Sequence, residues 1–226
     1  MKTIGLLGGM SWESSATYYK IINEYTNELL GAQNNAKSVL LTVNFEEIER
    51  LQHQNRWDEA TDILIEASKS LQNAGADFIV ICTNTMHKLL PKISPYVEIP
   101  FLHIAEATAK EINRDGVKKV LLLGTKFTMQ ESFYKDKLIE NNINVVVPNE
   151  QDMQTVHKVI YNELCLGKTL KKSREAFIKI IKRSEDIEGV ILGCTEIGML
   201  ISQDDIDFKV YDTTLIHAKE AVRMAI

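Results

Sequence analysis

The sequence predicts an α/β protein made of two pseudo-symmetric, doubly wound parallel-sheet domains with an active site between them. Three observations predict it. A buried apolar strand runs straight into a Cys-Thr pair twice, as IVICTNTMH with Cys82 and Thr83 and as VILGCTEIG with Cys194 and Thr195. Short β-branched runs alternate with amphipathic stretches along the whole chain, as right-handed βαβ crossovers require. Matching segments also recur in order: Lys2 to Gly8 against Lys118 to Gly124, Ile79 to Thr83 against Ile191 to Thr195, and Ala109-Lys110-Glu111 against Ala218-Lys219-Glu220. Ordered matches at the start, middle and end of each half indicate one unit doubled. Hydrophobic strands resemble one another in any α/β protein, but that explains neither the two Cys-Thr pairs nor their order.

Taken along the chain, the predicted strands are Thr3 to Leu7, Ser38 to Val43, Phe78 to Ile81, Pro100 to Leu102, Lys119 to Leu123, Asn144 to Val147, Gly189 to Leu192 and Lys209 to Tyr211. These are short, continuous, often β-branched runs, as expected for parallel strands covered on both faces. Covering helices are clearest in Trp57 to Ala74, Gln154 to Leu166 and Ser173 to Lys182, where apolar residues recur at helical spacing. Turn signals fall at the changes of pattern, at Asn73-Ala74-Gly75, Ile99-Pro100 and Arg114-Asp115-Gly116. The repeat sets the first domain at residues 1–114, joined by a C-terminal helix at about 212–226 that packs back on it, and the second at 115–211.

A chain of 226 residues that is 45% hydrophobic buries a sizeable core. Its net charge of −5, with acids and bases interspersed, argues against nucleic acid or an anionic membrane as the main partner. No stretch approaches the ~20 apolar residues of a spanning helix. Glu13 follows the short apolar run at the N-terminus, so that segment reads as a first strand and not as a signal peptide. Three cysteines give no disulfide framework, which points to the reducing cytoplasm. No Cys-x-x-Cys or His-x-x-x-His spacing appears and the five histidines are scattered, so no metal site is expected.

In a doubly wound fold, ligands lie outside the carboxyl ends of the strands. Gly8-Gly9-Met10, Cys82-Thr83-Asn84-Thr85, Gly124-Thr125 and Cys194-Thr195-Glu196 all fall at that edge. A thiol between a strand and a helix N-terminus meets unpaired N–H groups and the positive end of the dipole, which lowers its pKa. One such thiol acts as base and its opposite number as acid, so a hydrogen leaves one face of a carbon and returns to the other. A single cysteine at a strand end is more often mere packing; a repeated pair followed by hydroxyl residues favours function. Cys165, without a partner in the other half, reads as packing.

The opening GLLGGMSWESSATYY, the CTNTMHK and GCTEIG motifs, and the segments PFLHIAEAT, LLLGTKFTM and LCLGK resemble the aspartate/glutamate racemase family, and most of all its bacterial broad-specificity branch. The resemblance spans essentially the whole chain. It implies a cofactor-independent racemase with no pyridoxal phosphate, a small amino acid as substrate, and a homodimer. It makes Cys82 and Cys194 the two acid/base groups, and Met10, Gln52, Thr83, Asn84, Thr85 and Thr195 residues that line or bind substrate; Thr125, at the same strand edge, and Glu196 join them as candidate substrate-binding residues. An amino dicarboxylate needs donors at both carboxylates and an acceptor near its nitrogen; the Thr and Asn side chains supply the former, and Glu196 the latter. An acid in a first helical turn also stabilises the dipole whatever the function. Some archaeal members carry a basic residue where this chain has Cys165, and an arginine that aligns near Arg50.

Two other readings compete. One keeps the superfamily and changes the reaction to that of a hydantoin racemase, a decarboxylase of substituted malonates or a maleate cis-trans isomerase; the decarboxylases need only one thiol. The other is a non-catalytic small-molecule binding protein. Its nucleotide-binding version is weak, because the Gly5 to Gly9 loop lacks Gly-x-Gly-x-x-Gly and a Walker lysine.

Overall fold

The computed structural model describes residues 1–226. Eight strands form two separate four-stranded parallel sheets. The first contains β1 (Ile4–Gly8), β2 (Ser38–Thr42), β3 (Phe78–Ile81) and β4 (Phe101–Leu102) in the order β2-β1-β3-β4. The second contains β5 (Lys119–Gly124), β6 (Asn144–Val146), β7 (Gly189–Gly193) and β8 (Lys209–Asp212) in the order β6-β5-β7-β8. The shared order is the repeat in three dimensions. All eight strands match the sequence expectation to within about two residues, as short fully apolar runs should.

The helices are α1 (Trp12–Leu30), α2 (Phe45–His53), α3 (Trp57–Asn73), α4 (Leu90–Ile93), α5 (Ile104–Arg114), α6 (Lys126–Gln130), α7 (Ser132–Glu140), α8 (Glu150–Asn162), α9 (Lys171–Lys182) and α10 (Thr213–Ala225). Local chemistry starts them. The Ser11, Asn44, Thr125 and Asn149 side chains accept from N–H groups in the first turns of α1, α2, α6 and α8, filling bonds the helices leave open. The expected helix through Leu166 stops instead at Asn162, and Leu164–Leu166 continues as a 3₁₀ turn closed by left-handed Gly167.

Alternation along each strand sends side chains to two cores. In the first sheet Ile4, Leu6, Phe78, Val80 and Cys82 face Tyr18 and Ile22 of α1 and Ala218, Ala221 and Val222 of α10. Leu7, Ile79 and Ile81 face Ile48, Leu51, Leu64 and Leu71 of α2 and α3. In the second sheet Val120, Leu122, Ile191 and Tyr211 pack with α5 and α7, and Leu121, Leu123, Val190, Leu192 and Cys194 with α8 and α9.

The chain divides into two compact units, residues 1–103 with 217–226, and residues 104–216. The boundary differs from the one read off the repeat, after residue 114. The reason is packing: α5 buries Ile104, Ala105, Ala109 and Ile112 with the strands that follow it. The last helix, its sequence equivalent, belongs mainly to the first unit. Each unit therefore takes its closing helix from the other half of the repeat.

The α1–α10 layer of the first unit holds a polar cluster. The Tyr18 hydroxyl lies 2.9 Å from His217 Nδ1, and His217 Nε2 lies 2.9 Å from the Leu102 carbonyl oxygen. A carbonyl only accepts, so Nε2 carries the proton and Nδ1 takes the hydroxyl bond. The His87 ring lies 4.8 Å from that of His103 and 5.7 Å from that of His217. Burial, chiefly, pushes both His87 and His217 down to about 3. The unfolded chain binds these protons near pH 6.5 and the native state refuses them until about 3, so stability is full above 6.5 and falls as pH drops through that window. The melting temperature is expected to decline steadily from about pH 7 to about pH 4, and less steeply in His217→Gln; circular dichroism melts across that range check it.

Candidate active site

In both sheets the central strand has neighbours reached by crossovers in opposite directions, the topology whose carboxyl edge takes ligands in open α/β sheets. In the first unit the chain leaves β1 through Gly9-Met10-Ser11 and leaves β3 through Cys82-Thr83-Asn84. Gly9 has φ +88°, and a Cβ there would collide with the Val43 backbone, so only glycine lets the loops after β1 and β2 meet. Ser15 Oγ accepts from Gly9 N–H at 2.8 Å and donates to the Ser11 carbonyl at 2.9 Å, which fixes that loop on the first turn of α1.

Cys82 is fully buried. Its N–H donates to the Leu7 carbonyl at 2.9 Å, and its carbonyl accepts from the Ser14 hydroxyl at 2.8 Å. Its Sγ lies 3.7 Å from the Val80 carbonyl oxygen. Thr83 is half-buried and Asn84 and Thr85 are buried, at the entry to a 3₁₀ turn over Thr85–Leu89. Gln52, buried in α2, reaches that turn with Nε2 4.0 Å from Met86 Sδ, and Met10 belongs to the same apolar cluster as Met86. Arg50, by contrast, is exposed.

The second unit repeats the arrangement with other chemistry. Thr125 is buried as the N-cap of α6, at the exit of β5. Cys194 is 9% exposed, and its Sγ lies 2.9 Å from Glu196 Oε2, which also accepts from the Thr195 hydroxyl at 2.7 Å. Glu196 is buried, so it serves the thiol and the hydroxyl and is no surface cap. Cys165 packs against the core cluster that contains Cys194, as its reading as a packing residue requires.

The two thiols do not hold equivalent places. With Ile4–Gly8 set on Val120–Gly124, the strand registers pair Ile4 with Phe78 and Val120 with Gly189, so Cys82 matches Gly193 and Cys194 stands one residue farther on. Alternation then sends Cys82 to the α1–α10 layer and Cys194 to the α8–α9 layer of its own sheet. A Cβ at Gly193 would fall 2.8 Å from the Leu123 carbonyl oxygen and 2.9 Å from Leu122 Cδ1. Only glycine fits there, and the thiol moves to the next position.

The thiols also differ from the sequence expectation of a lowered pKa. Burial pushes Cys82 far up, and pushes Cys194 up with help from the Glu196 carboxylate. Behind Cys194 stands only a short 3₁₀ turn over Ile197–Met199; behind Cys82 the 3₁₀ turn over Thr85–Leu89 runs on into α4, and there burial outweighs whatever the helical N–H groups offer. Both thiols rest protonated. Sequence reasoning missed Ser14 and His87, which grip the backbone beside Cys82; both stand inside quoted motifs, but their partners are carbonyl groups that composition does not reveal.

The sequence pattern of the Asp/Glu/Hydantoin racemase family matches residues 7–221. The broad specificity amino-acid racemase RacX of Bacillus subtilis is 26% identical over 97% of this chain and 96% of its own. A solved structure from Yersinia pestis, assigned as an Asp/Glu racemase, is 44% identical with a TM-score of 0.92, covering 100% of this chain and 99% of that one. An aspartate racemase homologue from Pyrococcus horikoshii is 38% identical with a TM-score of 0.87, again over 100% and 99%.

Replacing Glu196 by Gln removes the negative charge beside Cys194, so the thiol should ionise at lower pH. Thiolate absorbance against pH in a Cys82→Ser, Cys165→Ser background is expected to shift downward; an unchanged curve would show that the carboxylate does not set the protonation of Cys194.

Proposed function

As the chain belongs to the Asp/Glu/hydantoin racemase family, we propose that it is an amino-acid racemase that interconverts the L and D forms of aspartate, glutamate or both by proton transfer between Cys82 and Cys194. The observation that carries this reading is the pair of buried thiols at the carboxyl ends of corresponding strands, Cys82 followed by Thr83-Asn84-Thr85 and Cys194 beside Thr195 and Glu196.

Two neutral thiols cannot begin the reaction. The substrate brings an ammonium group, whose positive charge offsets a thiolate where burial opposes one. One thiol then loses its proton to solvent as substrate enters. Its thiolate takes the α-hydrogen, the opposite S–H gives its proton to the other face, and the pair ends with thiol and thiolate exchanged. Electron density left on the α-carbon is stabilised by oriented N–H and hydroxyl dipoles in a site closed to water, so no cofactor is needed. Glu196 accepts from the ammonium, and Met10, Gln52, Thr83, Asn84, Thr85, Thr125 and Thr195 line the substrate.

The same proposal includes a reducing cytoplasmic setting, consistent with three free cysteines, and a homodimer in solution. No helix is long and apolar enough to cross a membrane.

Incubation with single enantiomers of aspartate and glutamate in deuterated water, without cofactor, is expected to give inversion with α-deuterium incorporation. Cys82→Ser and Cys194→Ser should each abolish inversion, while each variant still exchanges the α-hydrogen of one enantiomer. Near-normal inversion by either variant would overturn the two-thiol assignment, and silence with all four substrates would overturn the racemase reading.

A further inference from the structure

We propose that His87 is a positioning residue for Cys82, locking the turn that carries this thiol by donating from Nδ1 to the Thr83 carbonyl. The inference rests on the reading of Cys82 as an acid/base group, and concerns what holds that group in place.

Four consecutive backbone groups around Cys82 are engaged. The Cys82 N–H goes to the Leu7 carbonyl, the Cys82 carbonyl to the Ser14 hydroxyl, and the Thr83 N–H to the Ile81 carbonyl at 2.9 Å. The fourth, the Thr83 carbonyl, lies 2.9 Å from His87 Nδ1. Two of these bonds are backbone to backbone and follow from the sheet and its first turn. The other two come from side chains, Ser14 from α1 and His87 from the 3₁₀ turn. The Thr83 carbonyl can only accept, so Nδ1 carries the hydrogen and the ring serves as a neutral donor.

The His87 ring is itself held. It is 2% exposed, walled by the His103 and His217 rings, and His217 is fixed by Tyr18 and the Leu102 carbonyl. Contacts from α1, the end of β4 and α10 thus converge on one imidazole whose donor points at the residue after the thiol. Burial keeps the ring uncharged, which suits a fixed donor and not a proton carrier.

The test compares His87→Leu, which keeps bulk and loses the donor, His87→Asn, whose amide places an N–H near Nδ1, and Tyr18→Phe, which loosens His217 by one hydroxyl. The first readout needs no substrate: iodoacetamide alkylation of Cys82 and Cys194 in the folded protein, followed by mass spectrometry. His87→Leu is expected to raise the Cys82 rate by about tenfold, the scale of one buried hydrogen bond, and to leave Cys194 unchanged. Tyr18→Phe should shift Cys82 less in the same direction, and His87→Asn should return it toward wild type. The second readout is α-deuterium exchange of each enantiomer of aspartate and glutamate. Exchange at the face served by Cys82 should slow by about tenfold with KM unchanged, the other face being unaffected.

Equal acceleration of both cysteines would reveal general loosening of the fold and overturn the proposal. So would unchanged Cys82 reactivity in His87→Leu, or failure of His87→Asn to restore it. Wild-type protein without exchange, but with the selective alkylation change, would sink the racemase reading and leave the positioning role standing.

Discussion

The constraint on which the structure depends is that every central strand is hydrogen-bonded on both sides and covered on both faces. β1 and β5 each pair with two parallel neighbours, and their residues are almost entirely buried. Chemistry cannot be placed within such strands without burying unpaired polar groups. It is confined to the carboxyl edge, where the loops after β1, β3, β5 and β7 leave the ladders. The position of both thiols follows from this confinement. So does their protonation, because a strand end packed beneath helices is a dry place.

The two edges then solve the same packing problem differently. At the first, a hydroxyl and an imidazole tie the backbone around a thiol whose sulfur meets the Val80 carbonyl. At the second, a buried carboxylate touches the thiol itself. The two scaffolds share one strand order, yet a one-residue displacement, at a position where Gly193 leaves no room for a Cβ, sets their sulfurs on opposite layers of the respective sheets. The half-sites are similar in topology and unlike in electrostatics.

Much of this was legible in the sequence. The strands could be read because four or five apolar residues in a row leave little choice of environment, and the cysteines because each stands where such a run ends. The caps were not legible: α8 starts at Glu150 behind Asn149, four residues before the expected Gln154, because an asparagine marks turns as readily as helix starts. Other features depend on contacts far apart in the chain. The thiol pKa values depart from the expected direction because both sulfurs lie in dry surroundings, which the Cys-Thr pairs do not encode. Ser14 meets Cys82 across 68 residues, and Tyr18 meets His217 across 199. The offset between the cysteines stayed hidden because aligning like residues with like conceals a shift of register. The destination of α5 stayed hidden too, since an amphipathic helix does not say which sheet it will cover.

That destination bears on how the molecule can be taken apart. A fragment cut at the midpoint of the repeat keeps β1 to β4 and α5 but loses α10, leaving Ile4, Leu6, Phe78 and Val80 without the Ala218, Ala221 and Val222 that cover them. The complementary fragment keeps β5 to β8 and lacks the helix that buries Val120 and Leu122. Neither piece is a self-sufficient module, although the sequence divides so evenly. Because each half of the repeat covers a sheet of the other with its last helix, a cut at the midpoint of the sequence strips one face of both sheets at once.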